Sequence, residues 1–418
     1  MKAITVRKHI GSTILGRRTV WFGAILACCL CHSLHPALAA PGSWTRKADM
    51  PIARGGHAAC EVDGVLYVMG GGTQTNSDFL QLKSLLAYDP KADTWTPKRD
   101  MPTARRFLAA CAVDGIIYTI GGGGLITPPT DAVEAYDPMT DTWMAKAHLP
   151  AARSAVTACA VDGIIYAIGG ADNMQDLTRV EAYDPKTDQW TPKTKLPAPA
   201  IWAAACAVNG LIYAFFDKDT FEYHPKTDRW TRKASIPSGS LRCILSGFSA
   251  VDGMVFLFGG EISSTAGGYD LSLAYDPTDP VQDKFSAKRK MPMKCMGAAA
   301  ATIDGKIFLT GGASGDPLNY PGAAYYKSLW VFDPQGGVTP QFLSLNRDSP
   351  DRVRLAWQGE AGRLYGVESK LNLATGPWTR ISFSTGTNSI LATNALVEAT
   401  CAVPLGDTQR FFRVLEAN

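Results

Sequence analysis

Six times along the 418-residue chain a short apolar run stops at Asp-Gly or Asn-Gly and then resumes. The six stretches are ACEVDGVLYVMGG, ACAVDGIIYTIGG, ACAVDGIIYAIGG, ACAVNGLIYAFFD, FSAVDGMVFLFGG and AATIDGKIFLTGG. Their turns fall at 63, 114, 162, 209, 252 and 304, so the unit recurs every 43 to 52 residues. Asp-Gly and Asn-Gly tolerate the positive φ of a two-residue turn, and apolar runs on both sides complete a hairpin signature. A third strand follows in each unit, ending in AYDP, EYHP or VFDP, and a further turn leads to a strand built around tryptophan. Four short antiparallel strands cannot bury both faces alone, so the repeat predicts an all-β fold of propeller blades.

The count of strands carries a second inference. The phrases TWTPKRDMP (94–102), TWMAKAHLP (142–150), QWTPKTKLP (189–197) and RWTRKASIP (229–237) each close a unit. Phe285 stands for the tryptophan of the fifth unit, and the sixth ends at VFDPQGG with no such phrase after it. Yet SWTRKADMP (43–51) comes before any unit. The strand at Trp44 is therefore expected to complete the sixth blade and close the ring, leaving no open sheet edge. A rival is VTPQFLSL (338–345), which could pair there instead.

The ends of the chain differ from this core. Residues 1–40 carry Lys2, Arg7, Lys8, Arg17 and Arg18, an apolar run from Val20 to Leu30, and Ala37-Leu38-Ala39. That order is a secretory signal, cleaved near Ala39/Ala40, and predicts a secreted or periplasmic protein. Without it the formal charge of +3 falls to near −2. No lysine-arginine run remains, which excludes a nucleic-acid groove, and no membrane span remains either. The propeller is expected over 41–337, a linker over 338–345 and a small β-sandwich over 346–418. In that tail RVRLAW (352–357), RLYGVES (363–369) and GPWTRI (376–381) lack the propeller period.

The paired glycines at 70–71, 121–122, 169–170, 259–260 and 311–312, with a Tyr or Phe in the second strand and the spaced Trp, resemble the Kelch family over residues 43–334. The tail resembles fibronectin III or immunoglobulin-like sandwiches. The Kelch resemblance implies a propeller but no particular activity. Some Kelch proteins are copper radical oxidases similar to galactose oxidase, which need converging histidines and tyrosines. His57, His148 and His224 fall on different parts of the repeat and offer no such set. Others resemble exported six-bladed epimerases of acidic sugars.

Loop lengths point to a functional face. The turns after the first and third strands are short and uniform. Those after the second, from the glycine pair to the Tyr/Phe-Asp-Pro, run 16, 13, 12, 6, 14 and 19 residues and lie at the other end of the ring. Divergent loops on a rigid scaffold usually carry recognition. Nine residues before each hairpin turn stand Arg54, Arg105, Arg153, Ala200, Cys243 and Cys295, with Arg106 beside one of them. These arginines could ring the channel mouth and grip carboxylate or phosphate, or they could bind loop carbonyls between blades. Blade four has Phe215-Phe216 where others have paired glycine, and Trp202 where blade two has Phe107. Aromatic rings beside arginine suit a sugar face or an aromatic acid, and equally fill a gap in the core.

The expected partner is thus a glycan, an acidic small molecule or a protein, bound by a monomer with no cofactor and no metal. The second class considered is an acidic-sugar epimerase or mutarotase, with Glu261 as an acid-base group. The alternative reading of Glu261 is a solvated loop residue. No Walker loop, HExxH or GxSxG is present. Cys60, Cys111, Cys159 and Cys206 share a register where other units have Ser249 and Ala301, and Cys243, Cys295 and Cys401 complete an odd count of seven. Such a set predicts small buried thiols rather than disulfides.

Overall fold

The computed structural model describes residues 42–336, apart from 75–78, 124–126, 173–174, 176, 217, 237–246, 261–268, 279–283 and 315–323. It also gives the backbone course of Ile4–Thr5 and of the strands after 340. The chain divides into two compact units, Gly42–Gly336 and a second formed by Met1–Pro41 with Gly337–Asn418.

The first unit is a ring of six four-stranded antiparallel blades. Blade two shows the plan: Ala109–Val113 lies innermost, then Ile116–Ile120, Val133–Asp137 and Thr142–Ala145 outermost. The hairpin turns form as their residues dictate, Asp114 at φ 51° and Gly115 at 77°. Closure comes from the N-terminal strand. Ser43–Lys47 pairs antiparallel with Leu329–Asp333, Trp44 opposite Phe332. The Trp44 indole donates to Arg289 O of blade five at 3.0 Å and packs on Phe332 and Phe258. The rival segment is spent elsewhere, since Gln341–Ser349 pairs with Arg352–Gln358.

The turns after the third strands of blades one to four lock each of these blades to the one before it. The outer-strand indoles of Trp95, Trp143, Trp190 and Trp230 donate to the carbonyls of Ala48, Arg99, Ala147 and Thr194. The amide N–H of the same four residues is accepted by Asp93, Asp141, Asp188 and Asp228, each at 2.9 Å. Each Asp also takes the hydroxyl of the tyrosine five residues earlier, as in Tyr183 to Asp188 at 2.6 Å. Those aspartates have φ near 54°, a left-handed conformation that Asp tolerates through its short polar side chain. One turn thus satisfies both backbone groups of a neighbouring residue, which gives the recurring Asp-Pro-x-x-Asp a structural role.

Between blades the faces are apolar. Cys60, Met69 and Leu85 of blade one meet Leu108, Ile117 and Tyr136 of blade two. Cys60, Cys111, Cys159, Cys206 and Cys295 are buried free thiols. Burial pushes the Cys111 and Cys206 thiols up to about 12, so they stay protonated and pack as small apolar groups. Cys243 and Glu261 lie outside the described residues, as does the side chain of Cys401.

In the second unit Gln341–Ser349, Arg352–Gln358 and Leu396–Ala402 form one sheet. Leu364–Lys370 pairs with Phe411–Ala417, whose Phe411 and Phe412 stand opposite Thr5 and Ile4.

Candidate functional site

The loop end of the ring is built by the linkers that carry each outer strand into the next innermost strand. Each described linker is anchored to the blade it leaves. Arg105 N donates to Leu82 O and Arg105 O accepts from Gly71 N, both in blade one; Arg153 is held the same way by Thr130 and Gly122 of blade two. Backbone approach is so close that a Cβ on Gly70 would stand 2.6 Å from Arg105 O, and one on Gly121 2.6 Å from Arg153 O. This contact is the reason for the glycine pairs.

The guanidinium then crosses the seam into the blade ahead. Arg105 meets Glu134 of blade two at 2.8 Å and donates to Thr119 Oγ1 at 2.7 Å. Arg153 pairs with Glu181 of blade three, which also accepts from Arg179 Nε at 2.7 Å. Arg54 reaches blade one, where Leu86 holds the position of those glutamates, and donates instead to Gly70 O and Ser84 Oγ. All three arginines are at most 1% exposed. Burial lowers their pKa, Arg54 to about 10, and leaves them charged at neutral pH. These arginines staple the 6–1, 1–2 and 2–3 seams, with their donors turned away from solvent.

Blade four replaces the staple. Opposite Ala204 stands Phe215, as Ile168 stands opposite Thr157, so Phe216 rather than the Phe215-Phe216 pair takes the place of the first glycine. Phe216 stacks on Phe221 at 5.2 Å and 17°. Phe221 holds the position of Glu134 and Glu181, and Ala200 that of the arginine. An aromatic pair fills the space that an ion pair fills elsewhere, and the core of this seam includes all three residues.

Phe107 and Trp202 have a different fate. They share a register with Gly56, Ala155 and Gly297, and all five have positive φ, between 53° and 66°. Backbone bonds link this register around the ring: Gly56 N to Gly297 O, Phe107 N to Gly56 O and Ala155 N to Phe107 O. Small residues at three positions leave room over the channel, and the two aromatics fill it. Phe107 covers Gly56 and meets Trp202 edge-on at 4.4 Å. Arg106 lies buried with its guanidinium over the rings of Phe107 at 4.2 Å and Phe79 at 4.7 Å. Beneath this aromatic cover runs a central channel of about 560 Å³.

The proposed site residues therefore divide. Arg54, Arg105 and Arg153 separate into three seams, while Arg106, Phe107 and Trp202 gather at the mouth with Phe79. Glu134 and Glu181 were missed from sequence, although VEAYD occurs only in the two blades whose arginines pair with a carboxylate. Among the described residues no His, Cys, Asp and Glu group could hold a metal. His57 is buried and held neutral by burial and nearby Arg54, its pKa near 3. His148 pairs with Asp131 at the exposed surface, and His224 lies at the opposite end.

Outside the staples, the loop end leaves apolar groups in solvent. Ile52 is 41% exposed, Leu80 47% and Tyr269 37%, on blades six, one and five. Trp202 and Tyr325 are half-buried.

Six closed blades with short turns at one end and divergent loops at the other define a six-bladed β-propeller. A family model described as the KLHDC2/KLHL20/DRC7 Kelch-repeats domain matches residues 12–216. Kelch-like ECH-associated protein 1B of Danio rerio is 35% identical over 81 residues, 19% of this chain and 14% of its own length. Alpha-scruin of Limulus polyphemus is 37% identical over 81 residues, 19% of this chain and 8% of its own. Kelch-like protein 36 of Rattus norvegicus is 36% identical over 80 residues, 19% and 13%. The matches thus span a seventh or less of these relatives. The solved structure of YjhT covers 68% of this chain and 96% of its own, at TM-score 0.56 and 14% identity, a likeness of fold. The chain is a six-bladed β-propeller, and a Kelch-repeats model matches just under half of it.

Proposed function

We propose that the propeller is an exported binding module that recognises a protein through the loop end of its ring. One observation carries this reading: Leu80 and Tyr269 stay exposed on loops of divergent length, while the aspartates and indoles of four turns at the other end are spent on latches. Ile52, Leu80 and Tyr269 are suited to fill pockets of a partner, and apolar and aromatic anchors dominate protein interfaces. Burial of Arg54, Arg105 and Arg153 removes the donors that an acidic small molecule would need there. Kelch-like ECH-associated protein 1B is named for its association with another protein, which supports a protein partner here. The basic, apolar and small-residue order of residues 1–40 supports export. Two sheets in the tail support a small β-sandwich.

The test is in-cell crosslinking in the native host, followed by purification of the tagged protein. Substituting both Leu80 and Tyr269 by serine should abolish the crosslinked complex, while Met139→Ser, at a turn-end residue 94% exposed, should preserve it. The opposite pattern would place recognition at the turn end.

A further inference from the structure

We propose that the central channel binds a linear polyamine, taken up from the Asp-Gly end of the ring. All six hairpin turns of that end, and the innermost strands leading into them, belong to the described residues. One register of those strands, two residues before the turn, is partly exposed in every blade and lines the channel. Four blades have alanine there, as at Ala112 and Ala160, but blade one has Glu61 and blade six Thr302. One residue earlier on blade five stands Ser249, also partly exposed, where blades one to four bury a cysteine. Blades five, six and one are neighbours, so the three polar side chains form one arc of an otherwise small, apolar wall.

The hydrogen bonds of this arc leave it an accepting surface. Thr302 Oγ1 donates to Ala250 O at 3.0 Å, so it accepts from Ser249 Oγ at 2.7 Å. Both hydroxyl protons are thereby used, and the two oxygens meet a ligand with lone pairs alone. A carboxylate likewise only accepts, and Glu61 Oε1 is held by Gly64 N at 2.6 Å, which turns the group toward the mouth. A surface of acceptors takes a donor. An ammonium group supplies three N–H donors together with the charge that Glu61 lacks.

Charge around the mouth extends the argument from one ammonium to several. Glu61 is the one charged group among the described lining residues. Asp63, Asp114, Asp162, Asp252 and Asp304 hold five of the six turns, exposed and without a hydrogen bond or ion pair among the described residues. Asn209 makes the sixth turn with the same positive φ, so the turn itself does not require a carboxylate. Lys306, which follows the last turn, is drawn outward to Asp333 at 3.0 Å and does not offset the ring. Carboxylates around a narrow, low-dielectric mouth focus negative potential and concentrate cations. The alanines between them suit methylene groups, and a channel of about 560 Å³ is within the range of small-molecule sites.

Putrescine, butylamine and butanediol share a four-carbon chain and carry two, one and no positive charges, so titrating them and spermidine into the full chain by calorimetry tests the site. Spermidine and putrescine should bind, butylamine at least about tenfold more weakly than putrescine, and butanediol not at all. Glu61→Gln keeps an acceptor for Gly64 N and removes the charge, so it should melt as the parent does yet weaken spermidine about tenfold. Asp114→Asn with Asp162→Asn copies the turn of blade four and should weaken spermidine by about threefold or more. Asp100→Asn removes a charge beside Lys83 on the outer linker of blade one and should leave the affinity unchanged. No binding of spermidine, butanediol binding as tightly as putrescine, full affinity in Glu61→Gln, or an equal loss in Asp100→Asn would each overturn the proposal.

Discussion

Arg105 and Glu134 offer the sharpest test of the seam staples, because both are buried and each is the other's charge partner. Glu134→Leu reproduces what blade one carries at Leu86, but without the Ser84 hydroxyl and carbonyl that hold Arg54. A guanidinium 1% exposed would be left in the 1–2 seam with Thr119 alone. Breaking a buried pair from one side typically costs about 3–5 kcal/mol, and Arg105→Met should cost a similar amount for the stranded carboxylate. For a ring of this size that is a drop of roughly 6–15 °C in melting temperature. The double variant removes both charges and leaves two apolar side chains of similar volume. It should recover to within about 1 kcal/mol of the parent, as replaced buried pairs usually do. Urea and thermal unfolding of the four proteins, followed by tryptophan fluorescence, give the cycle. Single variants that melt with the parent, or a double variant that loses the sum of both, would refute the staple.

Other parts of the ring make separate predictions. Trp44→Ala removes the bond to Arg289 and the contacts with Phe258 and Phe332, so it should cost about 3–5 kcal/mol by chemical denaturation, while deleting residues 346–418 should leave a cooperative transition. The latch aspartates are acid-sensitive. Hydrogen bonds from Tyr183 and from Ala147 N lower the Asp188 pKa below its unfolded value, so its stabilisation is present above the ordinary carboxylate range and fades as pH falls through it. Asp188→Asn keeps an acceptor without a titrating group, and its melting temperature should fall less than the parent's between pH 6 and pH 3. His57 acts in the same direction: with its folded pKa near 3 it contributes stability above pH 6.5 that is lost as pH falls. His57→Leu, the residue of blade two, should flatten the melting profile from pH 6.5 to pH 4. Residues 41–418, denatured, should titrate close to seven free thiols without reductant, and two or more missing thiols would contradict the packing role of the cysteines.

How much of this was readable from sequence depends on which direction of the fold a residue reports. Asp-Gly turns and the alternation around them act along one strand, so six hairpins and the role of Trp44 follow from spacing alone. The register of the cysteines likewise gave a small buried site, since Cys, Ser and Ala share only size. The arginines were ambiguous for a physical reason. A fixed register says that a side chain serves the repeat, but not whether it turns into the seam or into the channel. The glutamate that settles it for Arg105 lies two strands away on the next blade. Phe107 and Trp202 meet across the ring because Ala155, on the blade between them, is small, and no linear spacing records that contact. The offset of Phe216 was missed because blade four changes its loop where its glycines end.

The most direct measurement of the binding claim is a photoreactive amino acid placed at single exposed positions in the native host. Leu80 and Tyr269 sample the loop end, and Met139 and Met144 sample the turn end and outer strand of blade two, at 94% and 62% exposure. The loop-end reading predicts a discrete crosslinked adduct from the first pair and only background from the second, though the second pair is the more exposed. Equal adducts from both pairs, or adducts from Met139 and Met144 alone, would contradict it.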